Sequence, residues 1–323
     1  MKKSYEHSQQ PVAAIYQAVK EYVEQNIGIR GISIRSVCRI IGISRSGLTS
    51  WLHRKKSKQQ SNKEKIKKMI RGIYETSKEV YGAPKITYIL RQKGLKISQK
   101  TVTNYMHEMG IKACYIKPKT KTTISKDFSS KLKNILKRDF NPEKPDAAWC
   151  TDITYIWTYT DGFVYLTSIM DLYSRKIIAW VLTKDMKASS VLEVIKRAKK
   201  RRNVNHPLVI HSDCGIQFTC EEYRELTKDL KRSYSKKGTP WDNACIESFH
   251  SLLKREWINR YKIWDYEQAK RLVFEYIETF YNTVRIHGHC QYMSPDSYEK
   301  EYYNRQIQSL QNYKTINLTG TFS

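Results

Sequence analysis

A chain of 323 residues with 40% hydrophobic residues and a formal charge of +27 is too long for one small module and too apolar for global disorder. No run approaches the roughly 20 apolar residues of a spanning helix. The seven scattered cysteines form no CxxC pair and the start MKKSYEHSQQPV has no apolar stretch behind its lysines, which argues against a disulfide framework, a structural zinc site and a secretory signal, and for a cytoplasmic protein.

The charge is lopsided: residues 1–145 hold 32 Lys or Arg against 10 Asp or Glu, residues 146–323 hold 26 against 21. A polyanion is the natural partner of the first part, because each phosphate neutralised releases counterions. Nucleic acid is favoured over a lipid surface.

Residues 1–55 read as the first domain, with three helical patterns separated by short turns. Val37, Cys38 and Ile41 before the Gly42-Ile43-Ser44 turn, with Leu48, Trp51 and Leu52 after it, would make a small core. Ser44 can cap the following helix, leaving Arg45, Ser46, Thr49 and His53 outward as a candidate recognition face. A plain three-helix bundle is the alternative; the basic excess favours DNA.

The run Arg54 to Arg71 reads as a charged linker entering a helix. A second helix-turn-helix-like unit is expected over 56–115, with a helix near Pro84 to Gln92, a turn at Gly94 and a helix capped by Ser98. Ile86, Ile89, Leu90, Ile97, Val102 and Met106 would form its core, and Lys100, Thr103 and Asn104 would face outward. Residues 116–143 read as a lysine-rich linker, and 301–323 as a tail.

Between them, 144–300, the composition changes. AWCTDITYIWT, GFVYLTSIMDLYS and RKIIAWVLT are three strand patterns joined by turns. A helix (Ser189 to Lys200), a strand (LVIHSD), a helix (Glu221 to Lys228), a short strand near RSYS and a last helix in GTPWDNACIESFHSLLKRE follow. A meander and then alternating elements give an α/β fold, a mixed five-stranded sheet flanked by helices, preceded by all-α helix-turn-helix domains.

Three carboxylates stand at telling points of that order. Asp152 lies inside the first strand, where a charge is costly unless partnered. Asp213 closes the fourth strand, the end at which α/β sheets place chemistry. On the last helix, at about 100° per residue, Ile246, Phe249, Leu252, Leu253 and Trp257 share one arc while Asn243, Glu247, Ser251 and Lys254 share the opposite one. Thr239, Pro240 and Asp242 suit its start. If the fold is as read, the three acids cluster, and like charges ~4 Å apart repel by roughly 4 kcal/mol per pair at an effective dielectric of 20. The site should therefore take up cations, and all-oxygen donors favour Mg²⁺ or Mn²⁺, with two ions balancing three carboxylates and one phosphodiester.

The runs WCTDITYI, DLYSRKIIAW, HSDCGIQF, SKKGTPWDNACIESFHSLLKRE and FYNTVRIH, in this order, resemble the retroviral-integrase-like (RNase H-like) core of DDE transposases. They are most similar to the second-frame (OrfB) products of insertion sequences whose two frames are joined by frameshifting; YGAPKITYILRQKG is similar to the helix-turn-helix region of that group. The resemblance implies DNA transposition on double-stranded DNA, at the element's inverted repeats and a target. It also implies metal ligation by Asp152, Asp213 and Glu247, with Asp152 bridging two ions, and DNA contact by Lys254. It further implies multimers on DNA and a fusion with the upstream-frame product. The 33 residues between Asp213 and Glu247 are about two fewer than usual, the shortage lying at KDLKRSYS. Tyr281, Asn282, Arg285 and His287 match a further block, with a role in packing or in DNA contact; His211 is a candidate support for Asp213. Two rivals remain: a nuclease of the same fold without strand transfer, and a transposon-derived DNA-binding protein with an inert core.

Overall fold

A computed structural model describes residues 11–26, 33–53, 57–114, 132–203, 208–236 and 238–319. They fall into two compact units, up to Lys68 and from Met69 onward.

In the first unit, α1 (Val12–Gln25), α2 (Ile34–Ile41) and α3 (Arg45–Leu52) bury Val19, Val37, Cys38 and Leu48 together. Gly42 takes a left-handed conformation (φ +75°) to end α2, which a residue with a side chain adopts only at a cost. Ser44 then accepts a bond from the Gly47 amide at 3.2 Å and caps α3. Trp51 and Leu52 pack partly against this core, but Ile41, expected inside, is 50% exposed. Ile41 ends a helix of only eight residues, whose Val37 and Cys38 already fill the contact with α3.

The division between units falls within α4 (Lys58–Thr76). In the second unit α5 (Ala83–Gln92) and α6 (Gln99–Glu108) follow, joined by a turn at Gly94. Ser98 caps α6 by accepting the Thr101 amide at 3.1 Å, and Ile86, Leu90, Val102 and Met106 are buried. The Tyr81 hydroxyl joins this helical pair to a late loop: it accepts the Ile286 amide at 3.0 Å and donates to the Val284 carbonyl at 3.3 Å. Tyr88 stacks on Tyr292 at 4.4 Å.

The sheet contains β1 (Ala148–Thr158), β2 (Gly162–Asp171), β3 (Ile177–Thr183), β4 (Val209–Ser212) and β5 (Lys231–Tyr234) in the order β3-β2-β1-β4-β5. The first three form an antiparallel meander, while β4 and β5 run parallel to β1. This is the mixed, RNase H-like arrangement that the sequence implied. Helix α7 (Ala188–Arg201) covers one face, where Val191, Val194, Ile195 and Ala198 pack on Trp149, Ile169, Ile178 and Ile210. Short helices α8 (Ile216–Thr219) and α9 (Glu221–Leu226) connect β4 to β5.

Residues 133–136 lie against the outer edge of the sheet. The Lys133 carbonyl accepts the Tyr234 amide at 3.1 Å, and the Ser233 hydroxyl accepts the amides of Ile135 and Leu136, both at 2.9 Å. An open edge strand invites pairing with other chains, and this segment covers the edge of β5. Residues 116–131 of the stretch that reads as a linker lie outside the described residues.

After β5, a short 3-10 turn (Pro240–Asn243) leads into α10 (Ala244–Glu256), followed by α11 (Tyr266–Phe274), a π-helical turn (Glu275–Tyr281) and α12 (Pro295–Thr319). In α10, Ile246, Phe249 and Leu253 are buried and Leu252 half-buried, so the apolar arc docks as its periodicity required.

Candidate active site

The register between β1 and its neighbours positions the carboxylates. Strand β4 pairs only with Ala148, Trp149 and Cys150 of β1, so β1 from Thr151 onward has a free edge on that side. Asp152 is the second residue of that open stretch, and Asp213 follows the last residue of β4. The start of α10 closes the gap: the Asn243 side-chain amide donates to the Thr151 carbonyl at 3.2 Å. Glu247, one turn further along, is carried to the same opening.

The three acids act on one another through their charges. Burial first, and then the charges of Asp152 and Asp213, push the Glu247 carboxyl above its ordinary value. Asp213, open at its surface, is also raised, chiefly by the protein around it and then by Asp152, while the Gly215 amide donating to its Oδ1 at 2.9 Å opposes the shift. A Cβ on Gly215 would approach that oxygen to 3.0 Å, so this tight turn and the Asp213 rotamer depend on one another. Among the described residues no group of three or more His, Cys, Asp or Glu side chains is gathered closely enough to hold a metal ion, so the three acids are neighbours and not a preformed cage. Their donors are oxygens only, the set suited to a hard divalent cation.

Lys254 is half-buried on α10, its ammonium 4.3 Å from the centre of the Tyr155 ring. Burial lowers its pKa, and the charge of Asp152 partly offsets this. The helical face expected to present Asn243, Glu247, Ser251 and Lys254 together needs one correction. Asn243 belongs to the 3-10 turn, not to the α-helix, and is buried against β1. Asp242, expected as a first-turn acid, is buried too. It accepts from Arg138 Nε at 2.6 Å, the Lys236 amide at 3.0 Å, Thr239 Oγ1 at 3.0 Å and Asn134 Nδ2 at 3.1 Å. These bonds hold the turn preceding α10 to the segment on the β5 edge, and they lower the Asp242 pKa against its burial.

Other expected residues serve the scaffold. His211 is clamped between the hydroxyls of Ser233 (2.9 Å) and Ser235 (3.0 Å), and burial pushes its pKa down to about 4; it ties β4 to β5 instead of supporting Asp213. Asn282 exchanges two bonds of 3.0 Å with the backbone of Ile177, and the Tyr281 hydroxyl donates to the Arg175 carbonyl at 3.1 Å. Arg285 grips buried Glu256 through both carboxylate oxygens at 2.7 and 2.6 Å, and Tyr276 donates to the same group at 2.8 Å. This fixes the C-terminal end of α10.

The helix-turn-helix candidates Arg45 and Thr49 on α3, and Lys100 and Asn104 on α6, are all exposed. Sequence reasoning passed over His250. Its ring is buried, with Nδ1 3.5 Å from Asp152 Oδ2 and Nε2 2.8 Å from Ser168 Oγ. The signal was present in its position three residues after Glu247, at the margin of the polar arc.

Known proteins match the same segments. Residues 142–240 and 228–295 match family models described as integrase core domain, and 61–119 one described as HTH-like domain. The transposase for insertion sequence element IS904 of Lactococcus lactis subsp. lactis (strain IL1403) is 35% identical over 251 residues, 77% of this chain and 99% of that protein. Transposase InsF for insertion sequence IS3A of Escherichia coli (strain K12) is 32% identical over 273 residues, 83% of this chain and 94% of that one. Among solved structures, the HTLV-2 integrase catalytic core domain is similar over 49% of this chain and 99% of that chain, at 15% identity and a TM-score of 0.38. With relatives this similar along nearly their whole length, the chain belongs to the family of insertion-sequence transposases that includes those of IS904 and IS3.

Proposed function

We propose that Asp152, Asp213 and Glu247 are the catalytic carboxylates of this transposase and hold Mg²⁺ or Mn²⁺, two ions in the working state, while it cuts and joins DNA at its element's ends. The supporting observation is the placement of Asp152 on the stretch of β1 beyond its pairing with β4, of Asp213 just after β4 and of Glu247 one turn beyond the Asn243–Thr151 bond, with the charges of Asp152 and Asp213 raising the Glu247 pKa. A cation relieves that repulsion, and an all-carboxylate set favours a hard one. When bound, the cation supplies Lewis-acid stabilisation of charge on the phosphate oxygens.

The chain's own residues provide position and specificity. The Gly215 amide orients Asp213, and Asn243 fastens the start of the Glu247 helix to the strand of Asp152. Lys254, braced over Tyr155, presents its ammonium to a DNA phosphate. Hydrolysis of one phosphodiester frees a 3′-OH, and that hydroxyl attacks a second phosphodiester in line, with no covalent protein intermediate.

Arg45 and Thr49 on α3, with Lys100 and Asn104 on α6, hold double-stranded DNA at the terminal repeats, working as a multimer and as a fusion with the upstream-frame product. No described helix is long and apolar enough to cross a membrane. The DNA-binding role proposed above puts the chain in the bacterial cytoplasm, at the nucleoid when bound to DNA.

Asp152→Asn and Glu247→Gln are each expected to abolish Mg²⁺-dependent cleavage and strand transfer while end-DNA binding persists. Full activity from either variant would sink the assignment. Supplying DNA ends already cut to a 3′-OH separates a transposase from a nuclease: joining to target DNA is expected, and a chain that only hydrolyses is a nuclease.

A further inference from the structure

Behind the proposed metal ligands, three side chains from three elements form a short relay. Asp152 on β1 and Ser168 on β2 are direct partners in the antiparallel ladder, so their side chains leave the same face of the sheet. His250 comes down onto that pair from α10. Its Nε2 is 2.8 Å from Ser168 Oγ and its Nδ1 is 3.5 Å from Asp152 Oδ2. Ser168 is fully buried and His250 nearly so, so little water competes for either group.

In a neutral imidazole one nitrogen carries the proton and the other accepts. If the Ser168 hydroxyl donates to Nε2, the proton is left on Nδ1, the nitrogen that faces the carboxylate. At 3.5 Å that contact is longer than a hydrogen bond and acts through charge and dipole. It still favours one orientation of the Asp152 carboxylate over others. We propose that His250 is a positioning residue, set in its tautomer by Ser168, that holds Asp152 in the orientation in which it binds a divalent cation. This rests on the reading of Asp152 as a ligand. One helix thus supplies both the third carboxylate, Glu247, and the brace for the first. Groups that orient metal ligands from behind commonly change metal affinity 10- to 100-fold when removed.

The test is Mn²⁺ binding to the full chain without DNA, followed by calorimetry, with thermal unfolding recorded for each variant. His250→Ala is expected to weaken Mn²⁺ binding about 10-fold. His250→Asn places its amide nitrogen where Nδ1 stood and is expected to restore most of the affinity. His250→Gln reaches Ser168 but lacks the Nδ1 position, and is expected to bind as weakly as His250→Ala. A role confined to packing or to satisfying Ser168 predicts the reverse order of Asn and Gln. That order, or wild-type affinity in His250→Ala, or equal loss in all three variants, overturns the proposal. Asp152→Asn serves as the reference: loss of Mn²⁺ binding there upholds the ligand reading independently, and retention refutes it together with the inference built on it.

Discussion

His287 illustrates how a single side chain in a family block serves the scaffold. Its Nε2 accepts a bond from Arg285 Nη1 at 3.0 Å, and its ring meets Tyr281 edge to face at 4.9 Å. Burial, reinforced by the positive charges of Arg285, Lys85 and Arg175, pushes its pKa from 6.5 down to about 2. A folded-state value below the unfolded one means that the unfolded chain binds a proton the native chain refuses. The stability from this group is therefore intact above pH 6.5 and falls progressively as the pH drops toward about 2. Between pH 7 and 5.5 the wild type should lose roughly 1 kcal/mol more stability than His287→Gln, which keeps an acceptor for Arg285 without titrating. Urea midpoints at the two pH values provide the measurement; equal losses would remove His287 from the account. The neighbouring Glu256 and Arg285 are both buried and satisfied by one another, and neither is free to contact DNA.

At the scale of elements, helix caps and apolar periodicity located the helices up to α7, and α9 and α10, because both are local; they did not place α11, or α12, which runs to Thr319 through the stretch read as a tail. Ser44 and Ser98 cap the helices that their positions indicated. Errors arose where a neighbour had already filled the contact, as at Ile41, or where the helix type changed. The Pro240–Asn243 stretch winds as a 3-10 turn anchored by Asp242, so the polar arc of α10 begins at Glu247. Helix α6 presents Lys100 and Asn104 on an exposed face. If Lys100 meets a phosphate, Lys100→Ala weakens binding to end and unrelated DNA alike and reduces the slope of log K against log salt by about 0.9. Fluorescence anisotropy at several salt concentrations reads that slope. An unchanged slope would place α6 away from the DNA backbone.

Across the whole molecule, the basic excess and the catalytic chemistry occupy different stretches of chain. The first unit carries α3 with Arg45 and Thr49, while the second carries the sheet, the acids and α6. Each has its own buried core. A fragment beginning at Ser57, whose hydroxyl accepts the Gln60 amide at 3.1 Å at the start of α4, is therefore expected to fold. On pre-cut ends it should retain strand transfer at high DNA concentration, with DNA affinity lowered at least 10-fold and a shallower salt dependence. Loss of joining at saturating DNA, with the fragment folded by circular dichroism, would show that the first unit contributes to chemistry as well as to binding.

The sequence by itself determined the order and type of most elements as far as α10, the candidate acids and the family blocks. Those features depend on local periodicity, capping and chemistry-bearing residues at fixed spacing. Only the tertiary structure decided which polar residues are tied into the frame. Asn243 and Thr151 are 92 residues apart, Asp242 and Arg138 104, Ser168 and His250 82. Each of these pairs exists because the α10 region packs onto the sheet, Asn243 at the open edge of β1, Asp242 on the segment along β5 and His250 over β2, and no short window of sequence contains both members. The same holds for residues 133–136: they read as part of a lysine-rich linker when taken alone, and are drawn onto the sheet because the unpaired edge of β5 offers the Tyr234 amide and the Ser233 hydroxyl as partners, with Leu136 buried there.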